Sequence, residues 1–552
     1  MTATTTTHAP VRSEHSGRTG SPSLAGTGTL VRFLLRRDRI KLPAWVGGLG
    51  LFVIYIGSAL PQLAPTQEDL RSLVTLFTQP VGRMFTGPAF GMDAPTYERF
   101  FAAGYAPYLF LLAGLMNIML ITRHTRLEEQ TGRAELVRAN VTGRYAALAA
   151  SLIVALITNG LATAVVTGLA LAVGFAPTGS LLVGLGVGLT GLAFAGVTAV
   201  TVQLSEYSRT AAGMAGAVLA ASFVMRALGD MAAVGGSALS WVSPLGWPSQ
   251  AAPYVHDRWA TLLLPVCLTV VTVTAAYVLL GRRDFGASLV AARPGTAVAR
   301  PWLGTPLGLA ARLQRGGFLG WGVGIALLGI VDGAFTQAMI DAGEDMPAAL
   351  KDMFGTAGLV DGYVAFLGAF VSVLIAAYTV FAMQTLRAEE LSGRAELVLS
   401  ARVGRAAWLG SHTLVVALGA VLISVATGLL TGVAAAAVTG DWSLVGGVLA
   451  SHVVLLPGVL LVLAVCAALA GWAPRLMAPI GWVLVALSAV VNFFGELLSL
   501  PDWLVALSPF SHLAGVPVEP FEVLPFLVVL VLAVAVSALA LVGMRRRQVN
   551  AV

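Results

Sequence analysis

The sequence predicts an all-α integral membrane protein, with twelve transmembrane helices arranged as two parallel six-helix repeats and both termini in the cytoplasm. Three observations carry that expectation. The 552 residues are 57% hydrophobic and only 11% charged, with a mean hydropathy of +0.85, whereas soluble domains carry roughly 25% charged residues. Apolar runs long enough to cross a hydrocarbon core of about 30 Å recur twelve times along the chain. A charged stretch of nineteen residues occurs twice, RLEEQTGRAELVRANVTGR at 126–144 and RAEELSGRAELVLSARVGR at 387–405, identical at eleven positions.

Residues 1–25 contain no apolar core of signal-peptide type and read as a disordered cytoplasmic tail. The first half, 26–281, offers spans at 44–62, 103–123, 146–175, 181–203, 212–230 and 259–280. A basic linker, 282–308, leads to the second half, 309–552, with spans at 317–336, 363–383, 408–438, 444–470, 477–496 and 523–543. The runs 146–175 and 408–438 are longer than a bilayer requires and must tilt or project from it. With both termini inside, the cytoplasmic segments hold 27 of the 33 Lys+Arg but only 10 of the 27 acidic residues. That bias is the positive-inside signal. It also accounts for the net charge of +6 without nucleic acid, because the charge is spread between spans.

The repetition reaches beyond the charged stretch. Arg36, Arg39, Trp45 and Gly48 at the start of the first span match Arg312, Arg315, Trp321 and Gly324 at the start of the seventh. WVSPLGW (241–247) follows the fifth span and LVALSPFSHL (504–513) the eleventh, while GRRDF (281–285) and MRRRQ (544–548) close the two halves. Six spans per half send both halves into the membrane in the same direction. Such repeats are related by a pseudo-two-fold axis along the membrane normal, with a pathway expected at their interface.

Each charged stretch falls between the second and third span of its half, on the cytoplasmic side. Glu129 with Arg133, and Glu390 with Arg394, stand four apart with the acid first, the favourable order on a helix. Gly132 and Gly393 break the helix leaving the membrane. A short amphipathic segment follows, 133–139 or 394–400, with Leu136 and Val137 or Leu397 and Val398 expected to turn inward. Gly143-Arg144 and Gly404-Arg405 then turn the chain into the next span. Arginines that merely snorkel at the headgroups need no paired glutamates, no glycine and no fixed spacing, so the duplicated pattern points to a docking element.

Nothing in the sequence looks catalytic. The P-loop pattern GxxxxGK[ST] needs a lysine after a glycine run, and neither Lys41 nor Lys351 supplies one. The histidines (His8, His15, His124, His256, His412, His452, His512) show no metal-ligand spacing, and Cys267 and Cys466 lie in apolar runs that exclude a disulfide framework. No metal site is expected. GLGVG at 184–188 lies within a span and suits close helix packing better than phosphate binding.

The pattern EE-x-[ST]-G-R-A-E-L-V followed by a G-R turn resembles the first intracellular loop of bacterial ABC-2 type permeases. LVRFLLRRDRIKLPAW (30–45) and LAARLQRGGFLGW (309–321) look like their connecting helix, and SPLGW like their outer re-entrant region. The duplicated six-span layout resembles, more narrowly, the actinobacterial permeases of the tetronasin-resistance type, described as exporters of polyketide antibiotics. The resemblance covers nearly all of the chain beyond residue 25. It implies a permease of the bacterial inner membrane whose loops dock two copies of a separate ATP-binding subunit. ATP and Mg would sit on that partner, with no cofactor in this chain. It further implies that Glu128, Glu129, Arg133 and Glu135, with Glu389, Glu390, Arg394 and Glu396, contact the partner, and that Gly132 and Gly393 shape the turn between them. The cargo would be a hydrophobic or amphipathic compound of the polyketide or drug type.

Charges inside spans are expensive and usually face a partner or a cavity. Arg226 and Asp230 lie four apart on the fifth span, Asn492 and Glu496 on the eleventh, and Asp332 near the outer end of the seventh. One reading places them along the pathway as a gate. The other makes Arg226–Asp230 an intrahelical ion pair and lets Glu496 reach the outer headgroups. Asn117, Asn159 and His452 read as interhelical hydrogen-bond partners. A proton-driven secondary transporter with two six-span halves is the alternative to the ATP-driven exporter, kept open by Asp332 and Glu496. A complex that senses an antibiotic or extracts lipid would share the loops and differ only in cargo flux.

Overall fold

A computed structural model describes residues 23–139, 142–284, 286–290, 298–342, 358–494 and 500–547, and every regular element among them is a helix. Eleven helices are long and apolar enough to cross a membrane. The chain is therefore a multi-pass membrane protein. The expected eleventh span, 477–496, is represented by a shorter apolar helix that ends at Phe494, and residues 495–499 lie outside the described set.

The first unit comprises Met1–Ala59 and Thr86–Arg293. Its long helices are α1 (Thr27–Arg37), α2 (Lys41–Leu63), α3 (Ala106–His124), α4 (Ala146–Ala172), α5 (Pro177–Leu204), α6 (Ser208–Ala232) and α7 (Leu263–Arg282). α1 stops at Asp38 because Pro43 follows: a proline ring clashes with the carbonyl four residues back and is accommodated only in the first turn of a new helix. α5 is the central helix and packs against α3, α4 and α7. Its glycines make this possible. A Cβ at Gly184 or Gly188 would press into Thr167 or Thr163 of α4, and one at Gly196 into Thr272 of α7. The GLGVG stretch thus serves close helix contact, as small residues do in lipid, where association depends on packing.

At the middle of that contact Asn117 and Asn159 exchange hydrogen bonds of 3.0 and 2.8 Å, and each amide also donates to the carbonyl four residues back, at 2.8 Å. The expected interhelical pair is formed and its donors are used. Gly191 passes directly over it: a Cβ there would lie 2.0 Å from Asn159 Oδ1 and 2.6 Å from Asn117 Nδ2. Gly191→Val is expected to part the two amides and cost about 1–3 kcal/mol for the stranded polar groups. Gly213→Val on α6, where a Cβ meets nothing within 4 Å, is the control. Thermal unfolding of the two purified variants checks this; equal midpoints would show that the asparagine pair contributes nothing.

The second unit comprises Leu60–Phe85 and Pro294–Val552. It contains α8 (Pro306–Ala334), α9 (Leu359–Leu391), α10 (Arg405–Thr439), α11 (Leu444–Val454), α12 (Leu456–Trp472), α13 (Met477–Phe494) and α14 (Val523–Arg546). The basic stretch before the seventh span is not a separate helix here. No proline interrupts residues 307–334, Thr305 caps the start through Gly308 N–H, and α8 runs unbroken. The expected span 444–470 is present as Leu444–Trp472, one of the eleven, with a one-residue interruption at Leu455 ahead of Pro457 that divides it into α11 and α12. α8 lies against α10 at Gly329 and Gly333, where a Cβ would meet Thr431 and Thr427. His452 does not bridge helices with its ring: its Nδ1 lies 2.8 Å from the Val448 carbonyl of its own helix, while its backbone carbonyl accepts from Ser424 Oγ at 3.0 Å.

Candidate functional site

The duplicated loops take the same form in both units. In the first, α3 gives way to a short helix, Arg126–Gln130, then to Gly132 at φ 73°, then to a second short helix, Arg133–Arg138. In the second, α9 runs through Leu391, Gly393 also stands at φ 73°, and Arg394–Leu399 follows. Only glycine holds this left-handed conformation without strain. The break swings the following turn, so the expected pairs Glu129–Arg133 and Glu390–Arg394 do not form. Each arginine folds back to the acid five residues before it: Arg394 donates to both oxygens of Glu389 at 2.9 and 2.7 Å, and Arg133 lies 3.7 Å from Glu128. Glu389 raises the Arg394 guanidinium above its ordinary value by hydrogen bonding to it.

Glu129 and Glu390 face inward. Glu129 accepts from Arg126 at 2.5 Å and from two nitrogens of Arg283 at 2.6 and 2.9 Å; Arg283 in turn donates to Gln203 at 2.6 Å. Glu390, whose side chain is 3% exposed, pairs with Arg387 at 2.6 Å and with Arg547. Glu128 is held by Arg37 of α1 at 2.8 Å. Arg37 also donates to His124 Nδ1 at 2.9 Å, and His124 Nε2 lies 2.9 Å from an Asp38 oxygen. Asp38 further pairs with Arg123 at 2.9 Å.

The outward face is different from the one expected. Leu136 and Leu397 are 73% and 75% exposed, each beside an exposed glutamate, Glu135 or Glu396. The inward face of the second loop carries Ala395, with Val398 and Leu399 half-buried. Two loops thus present the same Glu-Leu pair outward and hold the same acid inward. A cavity of about 300 Å³ lies behind the first loop, lined by residues that include Phe33, Glu129, Arg144, Gln203 and Arg283.

At the far end of α6, Arg226 and Asp230 are both buried and lie 3.6 Å apart. Asp230 also accepts from Ser240 Oγ at 2.6 Å, and Arg226 donates to the Thr86 carbonyl at 3.0 Å and stacks over Phe223 at 4.8 Å. Ser243 of the SPLGW stretch donates to the Ser222 carbonyl at 2.6 Å and closes the turn against the helix. The pair is therefore built into a hydrogen-bonded cap. In the second unit Asp332 is buried, with one carboxylate oxygen lacking a partner among the described residues, and Tyr363 donates to its backbone carbonyl at 2.8 Å. Asn492 is half-buried and Glu496 lies outside the described residues.

The family model for the C-terminal domain of the multidrug efflux system permease Rv1217c matches residues 28–280 and 303–545. The chain is 35% identical over 549 residues to the multidrug efflux system permease protein Rv1217c of Mycobacterium tuberculosis, spanning 98% of this chain and 97% of that one. The chain belongs to this family of multidrug efflux permeases.

In this efflux permease, sequence reasoning found the loops but paired Arg133 and Arg394 with the wrong glutamate of each EE doublet. Arg126 and Arg387, Arg144 and Arg405 are identical positions of the repeat, and all four serve internal contacts. Arg283 and Arg547 were visible only as the basic ends of GRRDF and MRRRQ. Each half closes on a basic cluster at the equivalent place, and that repetition was the available signal. Among the described residues no group of His, Cys, Asp and Glu is placed to hold a metal ion.

Proposed function

We propose that this efflux permease is the twelve-span, ABC-2 type membrane subunit of an ATP-driven exporter in the bacterial inner membrane, with both termini in the cytoplasm. In this reading it catalyses no reaction and binds no cofactor. Two copies of a separate ATP-binding subunit, carrying ATP and Mg, dock on the loops at 124–145 and 384–406, and the cargo is a hydrophobic or amphipathic compound of the antibiotic type. The observation that carries the reading is the outward Glu135-Leu136 and Glu396-Leu397 pair on two loops of one shape. An exposed leucine beside an exposed carboxylate, on a loop outside the spans, suits a partner surface with an apolar cleft and a basic rim. The two matched segments of the family model, of similar length, support the duplicated layout.

The test is purification of the tagged chain from its native membrane in mild detergent. An ATP-binding subunit at two per chain is the expected result, and Leu136→Asp with Leu397→Asp should abolish its retention and lower drug efflux at least tenfold. A chain that emerges alone, and transports in vesicles on a proton gradient without ATP, would replace this reading by a proton-driven one. The unpartnered oxygen of buried Asp332 favours that second reading, because intramembrane carboxylates of this kind serve proton relays. Asp332→Asn separates the two: the ATP-driven exporter keeps its pH profile, and the proton-driven one loses transport.

A further inference from the structure

Each loop is tied twice to an element that chain connectivity does not require it to touch. The first loop joins α3 to α4, yet Glu129 is gripped through two hydrogen bonds by Arg283, which follows α7 and lies 154 residues further along the chain. At its other end Arg144 donates to the carbonyls of Leu280, Gly281 and Arg283 at 3.2, 2.9 and 3.0 Å. In the second half Glu390 pairs with Arg547, the residue after α14, and Arg405 donates to the Arg547 carbonyl at 2.7 Å. Neither Arg283 nor Arg547 belongs to the nineteen repeated residues, so the same tie arises twice between separate parts of the sequence.

Charge balance does not explain it. Glu129 and Glu390 already have a cation three residues back, Arg126 or Arg387. The second arginine adds a mechanical link: two parallel hydrogen bonds between guanidinium and carboxylate, as Glu129 makes with Arg283, fix both distance and plane. Between the two ties the loop stands exposed, and the first loop has the 300 Å³ cavity behind it.

We propose that Arg283 and Arg547 are positioning residues that fasten each loop to the last helix of its half, so that a displacement of the loop is delivered to the loop-side ends of α7 and α14. This rests on the reading of the loops as docking elements. The alanine pair Arg283→Ala with Arg547→Ala, made in the full chain and expressed with its ATP-binding subunit, should reach the membrane in normal amount and retain that subunit. Basal ATP hydrolysis and its KM should stay at the wild-type level. Stimulation of hydrolysis by a hydrophobic dye should be lost, and dye efflux should fall at least tenfold. Arg283→Lys with Arg547→Lys, which keeps the charge but not the fixed plane, should give an intermediate efflux. Normal efflux by the alanine pair with the subunit retained overturns the tie alone. Loss of the subunit from the alanine pair also overturns it, by placing the arginines in the docking surface. Absence of any ATP-binding subunit from the wild-type chain overturns the docking reading, and this proposal with it.

Discussion

Arg226→Leu and Asp230→Leu are each expected to destabilise the purified permease by about 3–5 kcal/mol, while the double variant loses less than either. The reason is the asymmetry between breaking a buried ion pair and deleting it. Arg226→Leu leaves Asp230 charged and buried without its counter-ion, though still bonded by Ser240 Oγ; Asp230→Leu leaves a buried guanidinium with the Thr86 carbonyl and the face of Phe223. Removing both charges forfeits the bonds to Ser240 Oγ and the Thr86 carbonyl but leaves no stranded ion. Thermal unfolding of the three variants, with dye efflux measured alongside, gives the comparison. A double variant as unstable as the sum of the singles would mean that the two residues act through other partners. A double variant that is stable but cannot export would assign them to the pathway after all.

Glu390→Gln should cost a similar amount, about 3–5 kcal/mol, because it leaves Arg387 and Arg547 facing one another without their shared anion. Glu389→Gln, one residue earlier in the sequence, should cost no more than about 1 kcal/mol, since its partner Arg394 is 57% exposed and water replaces the pair. The contrast is sharp because the two glutamates are adjacent and chemically identical. If both substitutions lower the unfolding midpoint equally, the inward orientation of Glu390 is wrong. Glu129→Gln should follow Glu390→Gln, with Arg126 and Arg283 as the stranded groups.

These predictions mark where the sequence was legible. Apolar runs located every long helix, because a span must satisfy its own backbone in lipid and so leaves an unmistakable run of residues. The repeated RxEE and GR elements located both loops. What could not be read was direction. Periodicity put Glu129 beside Arg133, but one residue in the left-handed region, Gly132, redirected every side chain after it. Leu136 and Leu397 were expected to face the membrane for the same reason, and they face outward. Partners beyond the loop were also hidden: spacing rules speak for residues within a turn or two, whereas Arg283 meets Glu129 only because α7 and α3 both pack against α5. The break at Pro457 and the continuity of α8 followed from the presence or absence of a proline, and in hindsight both were readable.

In the first half Arg37 and the adjacent Asp38 bind Glu128, Arg123 and His124; at the positions matching Arg37, Asp38 and His124 the second half has Leu313, Gln314 and Thr385, and Gln314 donates to the Ala382 carbonyl at 2.9 Å. A symmetric dimer of half-length chains would be obliged to keep its two seats alike. Fusion into one chain removes that obligation, and here the first loop gains a charged brace from Arg37 beyond its tie to Arg283, while the second adds only an amide contact from Gln314 to its tie to Arg547. Under the docking reading proposed above, identical subunits would meet seats of unequal stiffness and bind with two affinities, one seat filling first. Transport by such a machine would have a fixed order of strokes, written into the chain and absent from the subunits that drive it.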